Sequence, residues 1–131
     1  MKVAYITDDI YLQHKTGAMH PESPERLKAI NTAIEPLHPS LTFKSPIKVS
    51  EHLLELVHSS EHIETIKNVC KYGGSIDSDT ICSSDSFDAA TMAVGAGIAA
   101  LDGIKSGEFK KAFCAVRPPG HHARPIQAMG F

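Results

Sequence analysis

Ala112-Phe113-Cys114-Ala115-Val116 is an uninterrupted apolar run, followed directly by Arg117-Pro118-Pro119-Gly120-His121-His122-Ala123. An apolar run without polar alternation suits a strand covered on both faces, as in the parallel sheet of an α/β domain. The run reads as a central parallel strand whose C-terminal end delivers the Arg-Pro-Pro-Gly-His-His loop. Ligand sites of open α/β sheets lie at such ends. Proline fixes φ, and glycine lets the backbone turn close to a ligand, so this loop can hold two adjacent imidazoles at one reacting centre.

The chain has 131 residues, enough for one domain with one core, and residues 1–131 are read as that single domain. Its net charge is −2, with mixed signs and 21% charged residues, which argues against a phosphate-backbone binder, so no nucleic-acid partner is expected. No apolar run reads as long enough to span a membrane, and the apolar part of Met1–Thr7 is too short for a signal peptide. Cys70, Cys82 and Cys114 are widely spaced and form no CxxC, so they are expected to be reduced thiols in a cytoplasmic protein.

Lys2–Thr7 is β-branched and aromatic and predicts a buried first strand. Ser23-Pro24 opens a helix with Leu27, Ile30, Ala33 and Ile34 on one face, ended by Pro36. Leu41–Phe43 predicts a second strand, and Ser50 opens a short helix with Leu53, Leu54 and Val57 inward. Ser59 or Ser60 opens another helix, which stops at Tyr72-Gly73-Gly74. Residues 75–86 read as a loop. Phe87–Ile104, rich in Ala and Gly, reads as a closely packed core helix.

His20-Pro21-Glu22-Ser23-Pro24-Glu25-Arg26-Leu27 resembles an HPExPxR element of the histone deacetylase superfamily. Val57-His58-Ser59 with Glu61-His62-Ile63 is similar to its helix-linking segment, and Asp79-Thr80 to its substrate loop. Val116–His122 followed by Met129-Gly130-Phe131 is similar to its catalytic-histidine loop. With these motifs in order nearly end to end, the chain resembles the N-terminal part of that superfamily, nearest its class II and acetylpolyamine amidohydrolase-like branch. The resemblance implies a three-layer α/β arginase/deacetylase-like fold with a parallel sheet, present here as its N-terminal portion.

It also implies roles. His122 would be the general base that activates metal-bound water, and His121 its partner at the charged transition state. Asp79 would orient the acylated substrate, Gly130 and Phe131 would belong to the acyl-lysine tunnel wall, and Arg26 would line the channel behind the site. A histidine near its ordinary pKa of ~6.5 serves as base and then acid at neutral pH. The family's cofactor is zinc, whose ligands, with the transition-state tyrosine, lie further along its domain than Phe131. The expectation is therefore a truncated domain, inactive or nearly so alone and binding no cofactor by itself. Its exposed sheet edge would be covered in a homo-oligomer. A site completed by another subunit or polypeptide, or an acetyl-lysine or acetylpolyamine binding module without turnover, are the alternatives.

Each of these residues also has a plainer reading. His121-His122 could be a solvated loop pair, Asp79 a turn or cap residue, and Arg26 a helix-face partner of Glu22 or Glu25. His20, His58 and His62 are expected to fix loops and helix ends, and His14, His38 and His52 to lie on the surface.

Overall fold

The computed structural model describes residues 2–131. Along the chain run β1 (Val3–Ile6), α1 (Pro24–Ile34), β2 (Leu41–Lys44), α2 (Glu51–Leu54), α3 (Ser60–Tyr72), β3 (Gly74–Ser75), β4 (Ile81–Cys82), α4 (Ser86–Lys105) and β5 (Lys111–Cys114). Short 3-10 helices occupy Asp9–Leu12 and Glu35–Ser40.

The main sheet is parallel, in the order β2-β1-β5. Val3 lies opposite Leu41 and Lys111, and Ile6 opposite Lys44 and Cys114. Ala4 and Ile6 are buried with Ala96, Ala99 and Ala100 of α4 and with Phe109. Tyr5 belongs to a second cluster with Tyr11, Leu27 of α1, Ala89 and Ala115. Alternate residues of β1 thus enter separate cores, as expected of an α/β sheet flanked by helices.

The central position belongs to β1, not to the 112–116 run. Among the described residues β5 pairs only with β1, and Phe113 is 51% exposed while stacking on Tyr5 at 5.9 Å. The apolar run is the signature of a strand covered on both faces, but here one edge and part of one face stay open.

Several local expectations shift in instructive ways. Pro36 does not end the helical path but turns it into the 3-10 helix Glu35–Ser40, where a proline near the start loses no helical hydrogen bond. Val57 lies outside, 65% exposed, because α2 ends at Leu54 and the chain leaves the core there. Ser59 is the cap of α3, accepting the His62 N–H at 3.2 Å. Residues 74–82 close into a small antiparallel hairpin, β3 against β4, with Gly74 opposite Cys82.

Helix α4 is long and apolar enough by length and composition to cross a membrane, contrary to the sequence expectation. Its buried residues are small, Ala89, Gly95, Ala96, Ala99, Ala100 and Gly103, and they pack on the sheet and its flanking segments. A Cβ on Gly95 would run into the Ile47 carbonyl, and one on Gly103 into the Phe109 ring. The glycines therefore mark close approach of α4 to the segments that flank the sheet strands.

Candidate active site

The loop after β5 is held from behind by a buried ion pair. Arg117 is completely buried, and its Nε–H is shared between both Glu22 carboxylate oxygens at 2.9 Å each. Its Nη1 donates to the carbonyls of Tyr11 (2.6 Å) and His14 (2.8 Å). Nη2 lies 2.8 Å from Glu22 Oε2 but off the hydrogen-bond axis. Glu22 also receives Arg26, whose Nε donates to Oε1 at 3.1 Å and whose Nη2 donates to the Val116 carbonyl at 3.0 Å. One carboxylate thus ties the 11–14 segment, α1 and the end of β5 together. An arginine fork meeting a carboxylate in a water-poor place is strong and directional.

From this anchor the chain passes through a cis Arg117-Pro118 peptide to Gly120, whose φ is +70. The Ala123 N–H then closes a turn on the Gly120 carbonyl at 3.1 Å. Further on, the Pro125 carbonyl accepts the Ser59 N–H (3.2 Å) and His58 Nδ1–H (3.3 Å). The loop is pinned at one end by Arg117 and at the other by the start of α3. Between these pins His121 and His122 stand exposed, their ring centroids 4.3 Å apart.

His20 joins the remaining pieces. Its Nδ1 accepts the Glu22 N–H at 3.2 Å, which leaves Nε2–H to donate to the Asp79 carbonyl at 2.9 Å. Its ring also meets Phe131 edge-on, with centroids 5.0 Å apart. Thr80 Oγ1 donates to the Gly130 carbonyl at 2.5 Å. Gly130, at φ +76, comes so close to His122 that a Cβ there would lie 3.0 Å from His122 Cδ2. Residues distant in sequence, His20, Asp79-Thr80, His122 and Gly130-Phe131, are therefore contiguous.

The turn bearing Asp79 is built by its neighbour. Asp77 Oδ1 accepts the N–H groups of Asp79 and Thr80, each at 2.8 Å. The first of these bonds, with the Thr80 contacts, holds the Asp77 carboxyl below the usual carboxylate range. Asp79 itself is exposed, and its carboxylate makes no hydrogen bond among the described residues. It is Asp77, not Asp79, that acts as the turn-forming residue.

One expectation needs correction and one alternative is resolved. His14 is buried, not on the surface: Nδ1 meets Ser86 Oγ at 2.7 Å, and Nε2 is buried without a partner. Burial, with the Arg117 charge next in importance, pushes its pKa down to about 4. Its position follows from Tyr11 and Thr16 entering the core on either side, which periodicity over a polar loop does not reveal. The Glu22–Arg117 pair anchors the start of the loop, a contact that nothing in the local sequence around Arg117 signals. For Arg26 the partner is Glu22, one helical turn away, and not Glu25. His20 and His58 fix loops, as expected.

Among the described residues no three His, Cys, Asp or Glu side chains form a metal-binding group. His121 and His122 offer two donors, fewer than the three or four that zinc takes from protein side chains, so this segment alone does not fit a zinc site.

The sequence pattern described as the histone deacetylase domain matches residues 20–131. A probable deacetylase of Archaeoglobus fulgidus is 35% identical over 100% of this chain and 38% of its own length. A histone deacetylase-like amidohydrolase of Pseudomonas aeruginosa is also 35% identical, over 92% of this chain and 33% of its own. The crystal structure of the HDA15 HD domain superposes with a TM-score of 0.91 at 31% identity, covering 99% of this chain and 39% of that one. The chain thus spans about two fifths of the length of the curated relatives it matches. With its separated motifs drawn together on a parallel sheet flanked by helices, this chain belongs to the histone deacetylase domain family.

Proposed function

We propose that this chain supplies the base-and-loop part of a zinc-dependent site that hydrolyses acyl groups from lysine or polyamine amines. The observation that carries the reading is the meeting of His122, the Asp79 turn, Gly130 and Phe131 around His20. His122 is the general base, and His121, its ring edge against it, steadies the charge that develops. The Asp79 carboxylate receives the substrate backbone N–H. Gly130 gives room beside His122, and Phe131 forms the apolar wall for the acyl-lysine stem. Arg26, through Glu22 and the Val116 carbonyl, borders the space behind the loop.

The 131-residue polypeptide alone does not turn over in this reading, because its own donors fall short of a zinc site. With added zinc, the chain is expected to release no acetate from acetyl-lysine peptide or acetylpolyamine, and calorimetry to give no stoichiometric zinc binding that depends on His121 and His122. Zinc-dependent turnover lost in His122→Ala would instead mean a site completed between chains. Saturable acetyl-lysine binding, weakened severalfold in Asp79→Ala, would support the substrate role of that turn and favour a binding module.

The same reading includes self-association. Strand β5 has an open edge among the described residues, and its Phe113 is exposed. Open strand edges with apolar neighbours recruit a second chain. Light scattering at about 50 μM should give at least twice the mass of one chain. A single-chain mass would overturn this part.

A further inference from the structure

His20 sits half-buried in a loop that closes on itself. Thr16 Oγ1 donates to the Glu22 carbonyl at 2.6 Å, so the two ends of the 16–22 segment are tied together. Inside this loop Met19 has φ +67 while its side chain is fully exposed. No burial of the Met19 side chain offsets the cost of a left-handed backbone, so the closure of the loop imposes it. Pro21 then disfavours helical angles for His20. Strain and stiffness on either side of it leave His20 one place to stand.

From that place the ring makes three contacts. Its Nδ1 lies 3.2 Å from the main-chain nitrogen of Glu22, the residue whose carboxylate holds Arg117 at the root of the histidine loop. Its Nε2 lies 2.9 Å from the Asp79 carbonyl, and because a carbonyl only accepts, Nε2 carries the proton. The Asp79 peptide is thus held at both ends, its N–H by Asp77 and its carbonyl by His20. The third contact is with Phe131, whose ring stands perpendicular to the imidazole at 5.0 Å between centroids.

We infer that His20 is a positioning residue, whose Nε2–H sets where Asp79 stands and whose ring sets where Phe131 stands.

For its functional meaning this assignment rests on the roles proposed above for Asp79 and Phe131; the placement itself rests on the contacts. One imidazole then fixes both the part that orients the substrate backbone and the part that lines the acyl-lysine stem, and ties them to the anchor of His121 and His122. The two outward contacts use different chemistry. Asp79 needs an N–H donor, and Phe131 needs a neighbouring aromatic ring. Glutamine carries an amide N–H at about the reach of Nε2 but no ring, and phenylalanine carries a ring but no donor. The two functions of His20 can therefore be removed one at a time.

The test is this pair of variants of the intact chain, read by NMR. In His20→Phe the Thr80 amide, bonded to the Asp79 carbonyl carbon, should shift, while the Phe131 ring signals keep the ring-current shift of the wild type. In His20→Gln the pattern should cross: the Phe131 ring signals shift and the Thr80 amide stays. Movement of both signals in both variants would mean a general loosening of the loop and would overturn the inference, as would movement of neither. Titration with an acetyl-lysine peptide should show binding to His20→Phe weakened roughly fivefold, the loss of about one hydrogen bond. Wild-type affinity in His20→Phe would overturn the positioning of Asp79. A wild-type chain that shows the crossed pattern in its variants but binds no peptide would count against the substrate reading, not against the placement by His20.

Discussion

Replacing Glu22 by alanine should destabilise the fold by about 3–5 kcal/mol, the cost of stranding a buried charge whose partner is removed. Arg117 is completely buried, and Glu22 is its only anionic partner among the described residues. Without the carboxylate, the guanidinium keeps only the Tyr11 and His14 carbonyls. For a domain of this size the fall in Tm should be on the order of 10–20 °C. Arg26→Ala removes a partner that is 42% exposed and leaves Arg117 paired, so it should cost about 1 kcal/mol or less. Thermal melts of the two variants check the ordering. Equal effects, or a Glu22→Ala shift below about 3 °C, would mean that the pair does not hold the histidine loop in place.

The second large effect is the pH response of His14. Its folded pKa lies at about 4, below the ordinary ~6.5 of an unfolded histidine. Between those values the unfolded chain binds the proton and the folded chain does not. Stability contributed by neutral His14 is therefore fully present above about pH 6.5 and is lost as pH falls toward about 4. The physical cause is burial first and the buried Arg117 charge next: a charged ring carries N–H on both nitrogens, and Nε2 is buried with no partner while Nδ1 meets Ser86 Oγ. Of the total, roughly 1.5–2 kcal/mol should disappear between pH 6.5 and 5, before carboxylates titrate strongly. Urea unfolding across that window should show the loss in the wild type and little of it in His14→Gln. The same slope in both would place the titrating group elsewhere, with His62, half-buried beside His58, the next candidate.

Much of the site was legible because its residues carry rigid local signals. The Pro-Pro-Gly before His121-His122 and the Ser59 cap before His62 act over a few residues, so their local geometry survives any packing. The resemblance to histone deacetylases rested on such short motifs. The Asp77 role was hidden because two aspartates in one turn look alike until the backbone shows which carboxylate accepts the N–H groups. Arg117 and His14 were hidden for a different reason. Burial of a charged or polar residue depends on partners far along the chain, here Glu22 and Ser86, and no periodicity records them.

By itself the sequence determined the α/β class, the placing of the main helices and strands, the helix cap at Ser59 and the exposed histidine pair at a strand's end. These follow from backbone stereochemistry and hydrophobic period, which act locally. Only the tertiary structure decided that β1 is central, that Glu22 joins Arg117 to Arg26, and that His14 is buried neutral. Each of these depends on which distant groups leave water together, and desolvation is a property of the packed assembly of elements, not of any segment within it.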